Sequence, residues 1–179
     1  MSTVRRTAVA VVAAVLLTLP AAAAPIALSS VLGSPAQGTW QTANGTEITI
    51  APCPEGFCGA ISWVVVPKAN ADLCRQTDHA TFGSLMLDYS NPDKSMQTRP
   101  ILGLNMLTLT PTNDPNNFTA KVYNPQDGST NDVLIFILNG GTTLRIGGAC
   151  VAGMCAVTQD WPKVPDRIDA PGFTCDGGQ

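Results

Sequence analysis

Short runs in which apolar and polar residues alternate, separated by clusters of turn-forming residues, begin at Gly38 and recur as far as Trp161. The clearest spans residues 47–51, where Ile48 and Ile50 alternate with Glu47 and Thr49, the two-residue period of a strand with one buried and one wet face. A run at 38–42 precedes it, and Asn44-Gly45 between them is the dipeptide most typical of a two-residue hairpin. Pro54-Glu55-Gly56 turns the chain into a third run, 59–66. Five more follow at 102–110, 118–123, 133–138, 142–148 and 154–161. Asn113-Asp114-Pro115-Asn116, Pro125-Gln126-Asp127-Gly128 and Asn139-Gly140-Gly141 separate them with tight-turn chemistry. No amphipathic helical pattern is long enough for a βαβ crossover. Eight strands joined mainly by hairpins predict an all-β fold, an eight-stranded antiparallel up-and-down barrel. An open sandwich shares the same periodicity. The barrel domain is placed at 38–161, with an insertion at 67–83 and an irregular tail, 162–179, read as a strap.

The first 24 residues read differently. Arg5 and Arg6 make a positive n-region, residues 8–19 an apolar h-region, and Pro20 with small alanines a c-region, the layout of a secretory signal peptide. Ala22-Ala23-Ala24 fits the small-x-small cleavage rule, and so does Ser34-Pro35-Ala36, which puts the cut as late as residue 36. The h-region is shorter than the roughly 20 apolar residues of a spanning helix, and no later run supplies one, so the mature chain is expected to be exported, periplasmic or extracellular, without a transmembrane segment. Hydrophobic residues make up 45% of the chain and charged residues 13%, a composition able to bury a core. Without Arg5 and Arg6, eight basic residues face thirteen acidic ones. That balance argues against nucleic acid, whose phosphates demand a basic face.

All six cysteines lie after the signal, and an even count in an oxidising compartment implies disulfides. Cys53 and Cys58, like Cys150 and Cys155, are separated by four residues that include Gly, enough to turn the chain and pair each locally. Cys74 in the insertion and Cys175 in the tail then remain to pair with each other. Four cysteines around zinc would use a similar gap, but the oxidising compartment disfavours that site, and no metal or cofactor is expected.

The one charged, turn-rich segment runs from Asp88-Tyr89-Ser90-Asn91-Pro92-Asp93 to Arg99-Pro100, and candidate function is placed there. Asn91 and Asp93 bracket Pro92 as turn formers and caps, while Arg99 next to an acid either pins the loop or forms a fork for a ligand carboxylate or phosphate. Asp88 and Asp93 could also be paired carboxylates of a hydrolase. His79, the one histidine, reads as a solvated loop residue, since a Ser-His-Asp set would need an acid to orient it. Met86, Met96 and Met106 lie ten apart without a Met-x-Met cluster and make a poor copper site. Trp40, Trp63 and Trp161 fall in predicted strands, where large aromatics fill a core or face a ligand. Asn44-Gly45-Thr46 and Asn117-Phe118-Thr119 fit the glycosylation pattern and read as turns.

Taken in order, Gly38-Thr39-Trp40, Cys53 with Cys58-Gly59-Ala60-Ile61, Asn91-Pro92-Asp93, Arg99-Pro100-Ile101-Leu102-Gly103, residues 122–128 and Trp161 resemble the bacterial domain-of-unknown-function family 2147. The insertion, the Ser129-Thr130-Asn131 turn and the Cys175 tail depart from that pattern. The resemblance implies an exported, lipocalin-like barrel and a carrier of small hydrophobic molecules. The expected function is a non-enzymatic protein that binds a small hydrophobic or amphipathic molecule through Asp88, Asn91, Asp93, Arg99, Tyr123 and Asp127 at the barrel mouth, with Trp40 and Trp63 facing the ligand. The alternative is a structural or interaction module of the cell envelope whose barrel is filled.

Overall fold

The computed structural model describes residues 33–178, so the predicted export signal and its first cleavage site lie outside the described residues. Eight strands run antiparallel in chain order: β1 (Gly38–Gln41), β2 (Glu47–Cys53), β3 (Gly56–Pro67), β4 (Asn105–Pro111), β5 (Asn117–Asn124), β6 (Ser129–Leu138), β7 (Thr143–Val151) and β8 (Met154–Val164). Each pairs with the next, and β1 returns to β8 through Thr39 opposite Val164 and Trp40 opposite Lys163. The sheet is closed, and its first and last strands have no free edge towards each other. An open sandwich is excluded by that pairing.

The period-two pattern sets which side chains fill the barrel. Ile48 and Ile50 of β2, Leu107 and Leu109 of β4, and Ile135 and Ile137 of β6 all join one buried cluster with Trp40, Phe57, Phe118 and Leu144. Gly59 takes an inward position because a side chain there would collide with Leu107 and Ile48. Phe57 and Phe118 meet edge to face, with ring centroids 6.0 Å apart at 87°, the geometry favoured by aromatic quadrupoles. These residues occupy the end of the barrel near the β2–β3 and β4–β5 turns, here called the floor. The Cys53–Cys58 bridge closes the β2–β3 turn.

A register shift breaks the alternation on β3. Ile48 faces Ile61 while Glu47 faces Trp63, so Ser62 is the extra residue of a bulge. The bulge lets Ile61 and Val64 both look inward and turns Trp63 to the outer surface with Glu47. There Arg167 grips Glu47 with three hydrogen bonds of 2.9–3.1 Å and lies 4.3 Å over the Trp63 ring. Thr39 donates to Asp166 at 2.6 Å, so the chain after β8 is clamped across the outside of β1 and β2.

The tail differs from the irregular strap expected. After the clamp it forms a ninth strand, β9 (Gly172–Gly178), parallel to the far half of β3, with Trp63 opposite Gly172 and Val64 opposite Phe173. β4 pairs with β3 only from Phe57 to Ala60, which leaves hydrogen-bonding groups of β3 for β9 to satisfy. The insertion forms α1 (Ala71–Gln76) and α2 (His79–Leu85). Asp78 caps α2 by accepting from the Thr81 amide at 2.9 Å. Phe82, Val66 and Phe173 build a second small core, where His79 stacks on Phe173 at 4.0 Å. The Cys74–Cys175 disulfide ties α1 to β9.

Candidate functional site

The end opposite the floor is hollow. A cavity of about 1100 Å³ opens there, bounded by the β1–β2 and β5–β6 hairpins, the far half of β3, the start of β4, the end of β7, the first part of β8, and the α2 cover. Val64, Val122, Val133, Ile146 and Trp161 form the barrel part of its wall, and Phe82 and Leu85 of α2 with Met86 just after it face it from the other side. Trp161 donates its indole N–H to Gln159 Oε1 at 2.9 Å, which fixes an aromatic face in the wall. The Cys150–Cys155 disulfide crosses the β7–β8 hairpin at the mouth. A smaller hollow of about 570 Å³ lies along β4–β6, lined by Thr108, Thr110, Thr119 and the exposed Lys121–Asp132 pair among others.

Beside the mouth, four of the predicted residues converge. Asp88 is fully buried. Its Oδ1 accepts the Tyr123 hydroxyl at 2.6 Å, and its Oδ2 accepts Asn91 Nδ2 at 2.9 Å and Arg99 Nε at 2.8 Å. Burial opposes ionisation of Asp88, but the hydrogen bonds from Tyr123, Asn91 and Arg99 and the Arg99 charge outweigh it and hold its pKa below the usual carboxylate value. Burial first, and then the Asp88 partner, push the Tyr123 hydroxyl above its ordinary pKa. Arg99 also lies 5.3 Å over the Tyr123 ring. The cluster thereby joins the loop after α2 to the end of β5. Close by, Gly128, at φ +75°, has room only for hydrogen where it meets the Ser90 carbonyl, and Ser90 Oγ donates to the Gln126 carbonyl at 2.9 Å. Loop and hairpin are latched twice.

The remaining predicted residues stand apart. Asp93 accepts from the Ser95 amide and hydroxyl and caps a short 3₁₀ turn, and Asp127 accepts from the Ser129 amide and Asn124 within its hairpin. Trp40 belongs to the floor, with its N–H on the Ala36 carbonyl at 2.8 Å; Trp63 lies outside under Arg167. None of the eight side chains lines the cavity: Asp88, Asn91, Arg99 and Tyr123 bond to one another, Asp93 and Asp127 bond within their own turns, and the two tryptophan rings lie on other surfaces. Their sequence neighbours Leu87, Tyr89, Val122 and Asn124 do line it. The wall residues were present in the sequence as the inward positions of β5–β8, where alternation pointed to a core. Among the described residues, the cavity lining has no histidine, cysteine, lysine or arginine, and Asp132 is its one carboxylate. Cys53, Glu55 and Cys58 lie close enough to share a metal ion, but both sulfurs are committed to a disulfide, whereas metal ligation needs thiolates.

A closed eight-stranded antiparallel barrel with a filled floor and a hollow mouth is a lipocalin-like fold. Residues 38–163 match the family described as "Uncharacterized protein conserved in bacteria (DUF2147)", and the chain belongs to that family. Among solved structures it is similar to HP1028 of the human pathogen Helicobacter pylori, described as belonging to the lipocalin family. The two are 18% identical with a TM-score of 0.52, over 73% of this chain and 83% of that one. This likeness concerns the fold. No curated protein matches the chain. No helix among the described residues is long and apolar enough to cross a membrane.

Proposed function

We propose that this protein is an exported, non-enzymatic carrier that holds a small hydrophobic or amphipathic molecule in the upper half of its barrel. The observation that carries the reading is the cavity: about 1100 Å³ of mostly apolar enclosure, against the roughly 300 Å³ that suffices for a small ligand. Export is supported by three disulfides and by the signal-like first 24 residues. Cleavage after Ala24 suits the fold better than cleavage after Ala36, which is buried and accepts the Trp40 indole N–H. On this reading Asp88, Asn91, Arg99 and Tyr123 hold the cover in position and the ligand touches the apolar wall beside them.

Native mass spectrometry of protein purified from its own host tests the proposal. A carrier retains an added mass that disappears on denaturation. A bare mass across repeated preparations overturns it and favours the second reading, an interaction module of the envelope. That reading draws on Val151 and Met154, 75% and 76% exposed at the tip of the β7–β8 hairpin.

A further inference from the structure

Resting on the carrier reading, we propose that the cavity selects uncharged amphiphiles and discriminates against anionic ones, taking an apolar body into the barrel and a hydroxyl- or amide-bearing head at its rim. The first observation is that, among the described residues, no cationic side chain lines the cavity. Arg99 is bonded to Asp88 and stacked on Tyr123, and Lys121 is paired with Asp132 at 2.7 Å. Lys68, on the turn next to the lining residue Pro67, is exposed and does not line the cavity. A carboxylate, sulfonate or phosphate entering the barrel therefore loses water without gaining a counter-charge, a costly exchange.

The second observation is what the rim offers instead. Asn70 and Gln126 border the cavity, and among the described residues their side-chain amides make no hydrogen bond within the protein. Gln159 has its Oε1 occupied by Trp161 and its Nε2 without a protein partner. Neutral donors and acceptors at the edge of an apolar wall fit a neutral polar head, whose hydrogen bonds they replace on entry. Asp132 adds no site for a cation, being paired and largely exposed.

Two dyes that differ by one sulfonate test this on the full mature chain. N-phenyl-1-naphthylamine is neutral, and 8-anilino-1-naphthalenesulfonate carries one negative charge. Fluorescence titration is expected to show saturable, blue-shifted binding of the neutral dye and at least about tenfold weaker binding of the anionic one. Val157→Lys, at an exposed lining position on the mouth wall, should narrow that gap at least about threefold by strengthening the anionic dye relative to the neutral one. If the neutral dye binds and the anionic dye matches or exceeds it, the charge selection is wrong and the carrier reading stands. If neither dye binds, the carrier reading falls with it.

Discussion

Floor and mouth are made from the same eight strands and the same kind of inward apolar residue, yet one end is solid and the other hollow. At the floor, Trp40, Phe57 and Phe118 reach across the barrel, and Ile50, Leu109, Ile135 and Leu144 close the gaps between them. At the mouth the inward residues of β5–β7 are Val122, Val133 and Ile146, shorter side chains that are only partly buried. Inward apolarity alone does not decide whether a barrel is packed. Side-chain reach across the interior does, because an eight-stranded ring is just wide enough for large side chains to fill. The two ends also stand by different means. The floor is held by close packing, while the mouth, lacking it, is held by directional bonds: the Asp88 cluster, the Arg167–Glu47 clamp and the Cys74–Cys175 bridge.

The contrast can be broken first at the floor. Leu109→Ala, at a fully buried position, should cost about 4 kcal/mol in urea unfolding, since a packed site loses both transfer energy and neighbouring contacts. A cost under about 1 kcal/mol would mean that the floor is as loose as the mouth. Removing the long-range bridge by Cys74→Ser with Cys175→Ser should cost about 3 kcal/mol, because it spans 101 residues. In hydrogen exchange the loss should open α1 and β9 before the barrel strands. Asp88→Ala should cost about 2 kcal/mol by leaving Tyr123, Asn91 and Arg99 without their shared acceptor. Because Asp88 has a depressed folded pKa, the stability it adds is complete above about pH 4 and is lost as pH falls through that lower value. Acid unfolding curves of wild type and Asp88→Ala should therefore converge at low pH. Parallel curves down to about pH 2 would contradict the assigned charge state. Smallest of all, Ile146→Ala should cost under about 1 kcal/mol, since its side chain already borders a void.

What the sequence disclosed follows the same division. Strict alternation at Ile48 and Ile50 and the Asn44-Gly45 turn marked the strands because local physics decides them. The hairpin forms around that dipeptide with a three-residue loop, 43–45, in place of the two-residue one expected: the Thr42 amide donates to the Thr46 carbonyl at 2.8 Å and the Gly45 amide to the Thr42 carbonyl at 2.9 Å. The apolar run Val64-Val65-Val66 carries no period, so the bulge at Ser62, which fixes what faces inward, was hidden. β9 has one large apolar residue, Phe173, and gains its strand form from a partner more than a hundred residues earlier. At the Asp88 site, Asp and Arg in one segment announced an ion pair. Tyr123 donates to the same carboxylate from 35 residues away, and its place in a latch depends on the β5–β6 hairpin folding back towards Ser90. The cavity wall was the least legible feature, because its residues come from many segments and each reads as ordinary core.

If the mouth holds a ligand in the void facing the inner side of β7, two adjacent residues on that strand must respond differently to added bulk. Ile146 lines the cavity, while Arg145 points outward to a bidentate pair with Asp160 at 2.7 Å. Ile146→Trp and Arg145→Trp, each checked for a native circular dichroism spectrum, are compared by titration with N-phenyl-1-naphthylamine. The inward tryptophan should weaken binding at least about tenfold and the outward one by less than about twofold. Equal affinity in both variants, or loss in Arg145→Trp alone, would contradict the account.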